Sequence, residues 1–259
     1  MDFGLNGKRA LVCASSQGLG YQSAVALAQE GVEVTLNGRD EGRLEAAKEM
    51  FQAEVGRPAA AIVADVATAQ GRAALIQACP QVDILVNNAG GPPPGSYTDW
   101  DEGDWTKALE ANMLAPIMLA KAYLPTMQEN RWGRIINITS AAVRAPIPHL
   151  GLSNGARMGL TGAFAGIARQ VARDGVTINN ILPGPHETGR LVKNYQHIAQ
   201  RTGEAFETAW EKGASTNPTG SFGDPADFGA CVAFLCSTHA KFIVGQNLVL
   251  DGGAANISL

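Results

Sequence analysis

The segment Cys13-Ala14-Ser15-Ser16-Gln17-Gly18-Leu19-Gly20 joins a short apolar run to a helical stretch. Gly18 and Gly20 permit close backbone approach to a pyrophosphate, and the helix start behind them offers unpaired N–H groups and a positive dipole end. That is phosphate-binding chemistry, although a strand-to-helix turn with no ligand has the same composition. The four histidines, His149, His186, His197 and His239, are the side chains suited to proton transfer at neutral pH. They form no His-x-x-His or His-Cys group, so no metal site is expected.

A loop of this kind needs a scaffold that presents it at a strand end. Short β-prone runs at Arg9–Ala14, Glu33–Asn37, Ala59–Val63, Asp83–Asn87, Arg134–Ile138, Thr177–Leu182 and Leu248–Leu250 are the strand candidates. Helical stretches lie between them at about Leu19–Glu30, Glu41–Ala53, Ala69–Ala78, Asp104–Gln128, Gly151–Arg173 and Pro225–Ser237. Runs such as Ile84-Leu85-Val86 are apolar throughout, which suits strands buried on both faces. The alternation predicts an α/β fold, a doubly wound, seven-stranded parallel sheet with helices on both faces. The polar, helix-prone segment at about 187–219 follows the sixth strand and must emerge beyond the C-terminal strand ends, where open sheets bind ligands. A substrate lid is expected there, with a plain surface helix pair as the alternative.

The 259 residues are 46% hydrophobic and 17% charged, which suits one soluble domain over 1–259. Twenty Lys and Arg against 24 Asp and Glu leave no basic footprint, so neither nucleic acid nor an anionic membrane surface is an expected partner. The apolar run behind Met1 to Arg9 stops at Ser15, too short for a leader core or a membrane span. Cys13, Cys79, Cys231 and Cys236 form no C-x-x-C pair and are read as buried thiols of a reducing, cytoplasmic compartment.

The glycine-containing loop, Asp65-Val66, Asn87-Asn88-Ala89-Gly90, Asn112, Ser140, Asn179 and Pro183-Gly184-Pro185 follow one another at the intervals of a known family. Gly245-Gln246 and Asp251-Gly252-Gly253 extend the match, and the chain resembles the short-chain dehydrogenase/reductase family over essentially its whole length. Its overall pattern is similar to the 3-oxoacyl reductase branch, which implies a Rossmann-fold domain and a nicotinamide cofactor. Cofactor contacts are implied for Ser15, Ser16, Gln17, Gly18, Leu19 and Gly20, and beside the adenine for Asp65 and Val66. Asn88, Ala89 and Gly90 would line the ribose, and Pro183, Gly184, His186 and Thr188 the pyrophosphate and nicotinamide. The family's Thr-Gly falls at Cys13-Ala14, so its first glycine is replaced by an alanine, for which a negative φ is expected.

The second strand ends Leu36-Asn37-Gly38-Arg39. Relatives that use NAD carry an acid where Gly38 stands, which would repel a 2′-phosphate, whereas Arg39 can grip one with two N–H groups. NADP (NADPH) is the expected cofactor, with Arg39 as a solvated cation the alternative.

Carbonyl-reducing members of the family carry an Asn, then a Ser, then a Tyr and a Lys in a Tyr-x-x-x-Lys helix. Asn112 and Ser140 match, but Ser153-Asn154-Gly155-Ala156-Arg157 occupies the Tyr-to-Lys stretch. A tyrosine near pKa ~10 can be lowered by a cation to act as an acid; a serine hydroxyl is far weaker, and an arginine binds without relaying protons. Arg157 is expected to reach Ser153 and the nicotinamide ribose from the same helix face. His149, four residues before Ser153, is the first candidate for the missing proton donor and His186 the second, each with a hydrogen-bonded loop histidine as its alternative. Tyr97 and Tyr195 are lesser candidates, and Tyr21 and Tyr123 are expected to pack on helices. Gly155, Ala156, Gly159, Gly162, Ala163 and Gly166 make a smooth helix face. The resemblance implies a homo-oligomer, tetramer or dimer, through that face, with packing inside one subunit as the alternative.

The expected function is hydride transfer between NADP(H) and a small or medium carbonyl or alcohol substrate. A lyase, dehydratase or hydrolase using His149, His186 or Arg157, and a catalytically silent NADP(H)-binding protein, share the same scaffold and stay open.

Overall fold

Seven short strands rich in Val, Ile and Leu make one parallel sheet in the computed structural model, which describes residues 1–256. They are β1 (Arg9–Val12), β2 (Glu33–Gly38), β3 (Ala60–Val63), β4 (Ile84–Asn87), β5 (Gly133–Ile138), β6 (Val176–Pro183) and β7 (Asn247–Leu250). The spatial order is β3-β2-β1-β4-β5-β6-β7. The chain therefore reverses direction across the sheet between β1 and β4, and the loops leaving those two strands flank the resulting crevice. The glycine-containing loop leaves β1 and Asn88-Ala89-Gly90 leaves β4.

Helices cover both faces. Helices α1 (Gly18–Gln29), α2 (Glu41–Val55) and α9 (Pro225–Cys236) enclose one apolar cluster around Leu27, Phe51 and Phe228. Helices α3 (Ala69–Ala78), α5 (Ala115–Glu129) and α6 (Gly151–Val171) enclose the other around Leu119, Leu160 and Phe164. Between β6 and α9 stand α7 (Gly189–Thr202) and α8 (Phe206–Ser215), and Tyr195, Phe206, Trp210 and Phe222 form an aromatic cluster between them with ring centroids 4.7–5.6 Å apart.

Two expectations change. The stretch Asp104–Gln128 is not one helix: α4 (Glu102–Leu109) gives way to a π turn at Glu110–Leu114 before α5 begins. Pro116 has no N–H to give the Asn112 carbonyl, and the Ala115 N–H instead reaches the Glu110 carbonyl, which inserts the extra residue of a π turn. The first strand also ends at Val12 rather than Ala14, because the chain turns sharply there. The cysteines are all free, with Cys13 and Cys236 buried and Cys79 and Cys231 only half-buried.

A polar ladder crosses the half of the sheet nearest the crevice. Asn87 donates to Asn137 at 2.9 Å, Asn137 to Asn180 at 2.8 Å and Asn180 to Asn247 at 2.7 Å, each pair in strand register. Asn137 is an inner amide of the four, fully buried, and both its neighbours lose a partner when it is removed. Asn137→Ala should therefore cost about 2–4 kcal/mol of stability, read as a lowered urea midpoint. A midpoint equal to that of the unmodified protein would contradict this role.

Candidate active site

Asn37 sets the shape of the loop that follows β1. Its backbone carbonyl accepts from Ser15 N at 2.8 Å, its Oδ1 accepts from Ala14 N at 3.2 Å, and its Nδ2 donates to the carbonyls of Ile62 and Ala64 at 3.1 and 3.0 Å. Ser15 Oγ donates to Val12 O at 2.8 Å and accepts from Asn37 N at 3.0 Å. Across the crevice, Asn88 Nδ2 donates to Ala14 O at 3.1 Å. Sequence reasoning passed over Asn37; the available signal was an amide at the end of an otherwise apolar strand.

These bonds hold Ala14 at φ +45°, against the expected negative value. The strain is tolerated because both of its backbone polar groups are tied, the N–H to Asn37 and the carbonyl to Asn88. Gly20 is required by space: a Cβ there would lie 2.7 Å from both Ala14 O and Asn88 Nδ2. Gly18 has φ +62°, and the Thr188 methyl lies 3.4 Å from where its Cβ would be, so α7 starts over the loop. Ser16 and Leu19 are half-buried and Gln17 is the extended residue before α1.

At the end of β2, Gly38 faces Ser16 and Leu44, each 3.5 Å from its Cβ position. Arg39 is exposed and, among the described residues, forms no ion pair. Asp65 Oδ1 accepts from Ala67 N at 3.0 Å while Val66 is buried beside it. Ala89 is half-buried, Gly90 is exposed with open space where its Cβ would point, and Pro183-Gly184 closes the far side against Asp251.

The second constellation is deeper. Ser153 and Arg157, one turn apart on α6, are both buried. Arg157 Nε donates to Ser153 Oγ at 3.2 Å and Nη1 donates to the Ile138 carbonyl at the end of β5 at 2.8 Å. Burial and the positive charge of Arg190 push the Arg157 guanidinium down to about 10, which leaves it protonated at pH 7. With its oxygen accepting from a cation, the Ser153 hydroxyl keeps its own proton as a donor. Ser140 accepts from Ala142 N at 3.1 Å at the head of a tight turn. The π turn points Asn112 inward, where Nδ2 donates to Gly90 O at 3.4 Å and Oδ1 has no partner.

The histidines separate. The His186 ring is buried, Nδ1 lies 3.1 Å from Gly184 O, and it packs at 86° on Phe228 with Gly223 against its other side. Its side chain packs into the turn after β6. The His149 ring is exposed on the turn Pro148–Leu150, and only its backbone carbonyl is engaged, by Gly95 N at 3.0 Å. Tyr97 is exposed, Tyr195 belongs to the aromatic cluster, and Tyr21 and Tyr123 are tied by their hydroxyls to Glu54 and to Cys79 O.

A family model of enoyl-(acyl carrier protein) reductases matches residues 13–255. The 2-keto-3-deoxy-L-fuconate dehydrogenase of Xanthomonas campestris is 32% identical over 257 residues, covering 97% of this chain and 81% of that protein. The chain belongs to the short-chain dehydrogenase/reductase family. A 3-oxoacyl-[acyl-carrier-protein] reductase of Vibrio harveyi is 32% identical over 254 residues, 96% of this chain and 98% of that one. L-sorbose reductase of Gluconobacter frateurii, solved with NADPH and L-sorbose, superposes with a TM-score of 0.95 at 27% identity over the full length of both chains.

For a short-chain dehydrogenase/reductase, the crevice fits a nicotinamide dinucleotide. The loop backbone is pre-set by Asn37 and Asn88, Gly20 excludes any side chain, and Gly90 leaves its space open. Strain at Ala14 also has a measurable consequence, since a left-handed non-glycine residue costs roughly 1–2 kcal/mol, offset in part by the larger chain entropy of glycine. Ala14→Gly should raise stability by about 0.5–1 kcal/mol, visible as a higher melting temperature in the ligand-free protein. A lower melting temperature would mean that the alanine methyl packs usefully.

Proposed function

We propose that this short-chain dehydrogenase/reductase transfers a hydride between NADPH and a small or medium carbonyl/alcohol substrate, with Ser153 and Arg157 holding the substrate oxygen. The observation that carries this is the Arg157 Nε bond to Ser153 Oγ at 3.2 Å between two buried side chains. NADPH, when bound, supplies the hydride. Ser153 O–H donates to the substrate oxygen, and Arg157 behind it stabilises the negative charge that grows there, an arrangement complementary to the transition state. Ser140 gives a second hydroxyl on the cleft wall, and Asn112 braces the Gly90 loop. Relatives named as reductases or dehydrogenases of keto sugars, keto sugar acids and 3-oxoacyl groups support this substrate range.

Serine is too weak an acid to supply the proton alone. His149 takes that part in our reading: of the two histidines flanking the site it has the free ring, whereas His186 is locked. Ser15 to Gly20, Asp65, Val66, Asn88, Ala89, Gly90, Pro183, Gly184 and Thr188 hold the dinucleotide, and Arg39 takes the 2′-phosphate. Residues 187–219 act as the lid of a single Rossmann domain, whose last residues, 257–259, lie outside those described.

An oligomer is supported by α6. Gly162 and Gly166 face open space, while Trp105, Leu114, Met118 and Met158, on α4, the π turn, α5 and α6, are 38–41% exposed. Gly155 and Gly159 instead meet Trp105 and Met113 within the chain, so only the C-terminal part of the smooth face is free for a second copy. No helix among the described residues is long and apolar enough to cross a membrane. A cytoplasmic location suits the four free thiols.

Three outcomes test this reading. NADPH should bind at least about tenfold more tightly than NADH, with Arg39→Ala removing most of the difference and Gly38→Asp reversing it. Equal affinities in fluorescence titrations of the unmodified protein would refute the assignment. Second, Ser153→Ala and His149→Ala should each lower kcat by about 10²–10⁴-fold while NADPH affinity stays nearly unchanged. Full activity in His149→Ala would pass the proton to water or substrate and remove His149 alone from the mechanism. Third, light scattering at micromolar concentration should report a dimer or tetramer, and a monomer would discount the α6 face.

A further inference from the structure

The indole of Trp100 is wedged between two stretches of backbone, one on each side of the turn that carries His149. A tight turn folds it back: Asp99 N donates to Ser96 O at 3.0 Å, and Asp99 Oδ2 accepts from Ser96 N at 2.8 Å. One edge of the ring then lies on Gly95, where a Cβ would be 2.9 Å from Nε1 and 3.3 Å from Cε2. The other edge lies on Gly151, the first residue of α6, where a Cβ would press on Cζ3 and stand 2.8 Å from Cη2. Both positions admit the ring because they are glycine. The same two glycines bracket His149. Gly95 N donates to the His149 carbonyl at 3.0 Å, and Gly151 directly follows the turn Pro148–Leu150. The front of that turn is tied separately, since Ile147 O accepts from Leu150 N at 3.0 Å and from Asn154 Nδ2 at 2.9 Å.

Trp105 repeats the contact one helical turn on. Its Cζ3 lies 2.9 Å from where a Cβ of Gly155 would be, and its ring meets Trp100 edge-on with centroids 6.2 Å apart. Residues 151 and 155 share one face of α6, whereas Ser153 and Arg157 stand about 200° round the helix from them. The indoles therefore back the helix from the side away from the Ser153–Arg157 pair. Resting on the reading that His149 supplies the proton, we propose that Trp100 is a positioning residue: its ring clamps the Gly95 segment to the head of α6 and so holds the His149 turn at a fixed place relative to Ser153. Ser96 to Asp99 are all exposed, which leaves Trp100 as the side chain that anchors this stretch. A rigid ring packed on both edges suits the task, because a proton donor is effective only when its support cannot drift.

A double-mutant cycle in the full-length protein tests this, read as NADPH oxidation with ethyl acetoacetate, diacetyl and dihydroxyacetone as probes. Trp100→Ala should lower kcat for the fastest probe by about tenfold or more, with KM and NADPH affinity changing less than about threefold. In a His149→Ala background the same substitution should change kcat less than about twofold, because a residue acting through His149 then has nothing to act on. Gly151→Ala, which pushes the ring from its other edge, should repeat both results. Trp100→Phe, which keeps the edge on Gly95 and gives up the reach to Gly151, should fall between. Independently of turnover, hydrogen exchange at the Gly95 amide should quicken in Trp100→Ala as its bond to His149 O opens. Unchanged kcat in Trp100→Ala, an equal loss with and without His149, or unaltered exchange at Gly95 would each overturn the inference. Full activity in His149→Ala, or no oxidation with any probe by the unmodified protein, would instead overturn the reading on which it rests.

Discussion

Four asparagine side chains hand one hydrogen bond to the next across β4, β5, β6 and β7, and the register of the catalytic half of the sheet depends on them. Parallel strands buried on both faces offer few specific marks to align them, since one apolar residue resembles another. A buried amide is different, because leaving it unpaired costs far more than a misplaced methyl. A slip of β5 by one residue would strand Asn137 among apolar groups and cut both its bonds. With Asn87, Asn137 and Asn180 aligned, Asn88 follows directly after β4, Ser140 leaves the end of β5, and Ile138 is in place to accept from Arg157.

The other side of the crevice is organised by a second amide. Asn37 ties β1, β2 and the chain end of β3 through its side chain, and holds Ala14 in a left-handed conformation that its own side chain disfavours. The cofactor loop is therefore shaped by neighbours as much as by its glycines. A missing glycine at this position does not break the loop, since Asn88 secures the Ala14 carbonyl from the other side of the crevice.

The guanidinium of Arg157 fixes its donors in a plane, and that plane is satisfied by a hydroxyl and a carbonyl. In the mechanism proposed above, binding the oxygen and supplying its proton are separate tasks on separate groups.

Much of this was legible in the residues themselves. Alternating apolar and helical runs specify a parallel sheet because period and length decide which segments can be buried on two faces, and the strand candidates agree with the observed elements to within one or two residues. Ser153 and Arg157 at i and i+4 had to meet on one helix face, since helix geometry alone puts them there. What tertiary structure decided depends on neighbours distant in the chain. The sign of φ at Ala14 follows from Asn37 and Asn88, residues 23 and 74 positions away. The break at Asn112 combines a local cause, Pro116, with the Gly90 carbonyl that receives its amide. The burial of the His186 ring follows from Phe228 and Gly223, and no pattern around residue 186 encodes them. Only the fold lays Arg190 against Gly91. Local periodicity sets which elements form, whereas the direction of each side chain at the crevice is set by packing between elements far apart in sequence.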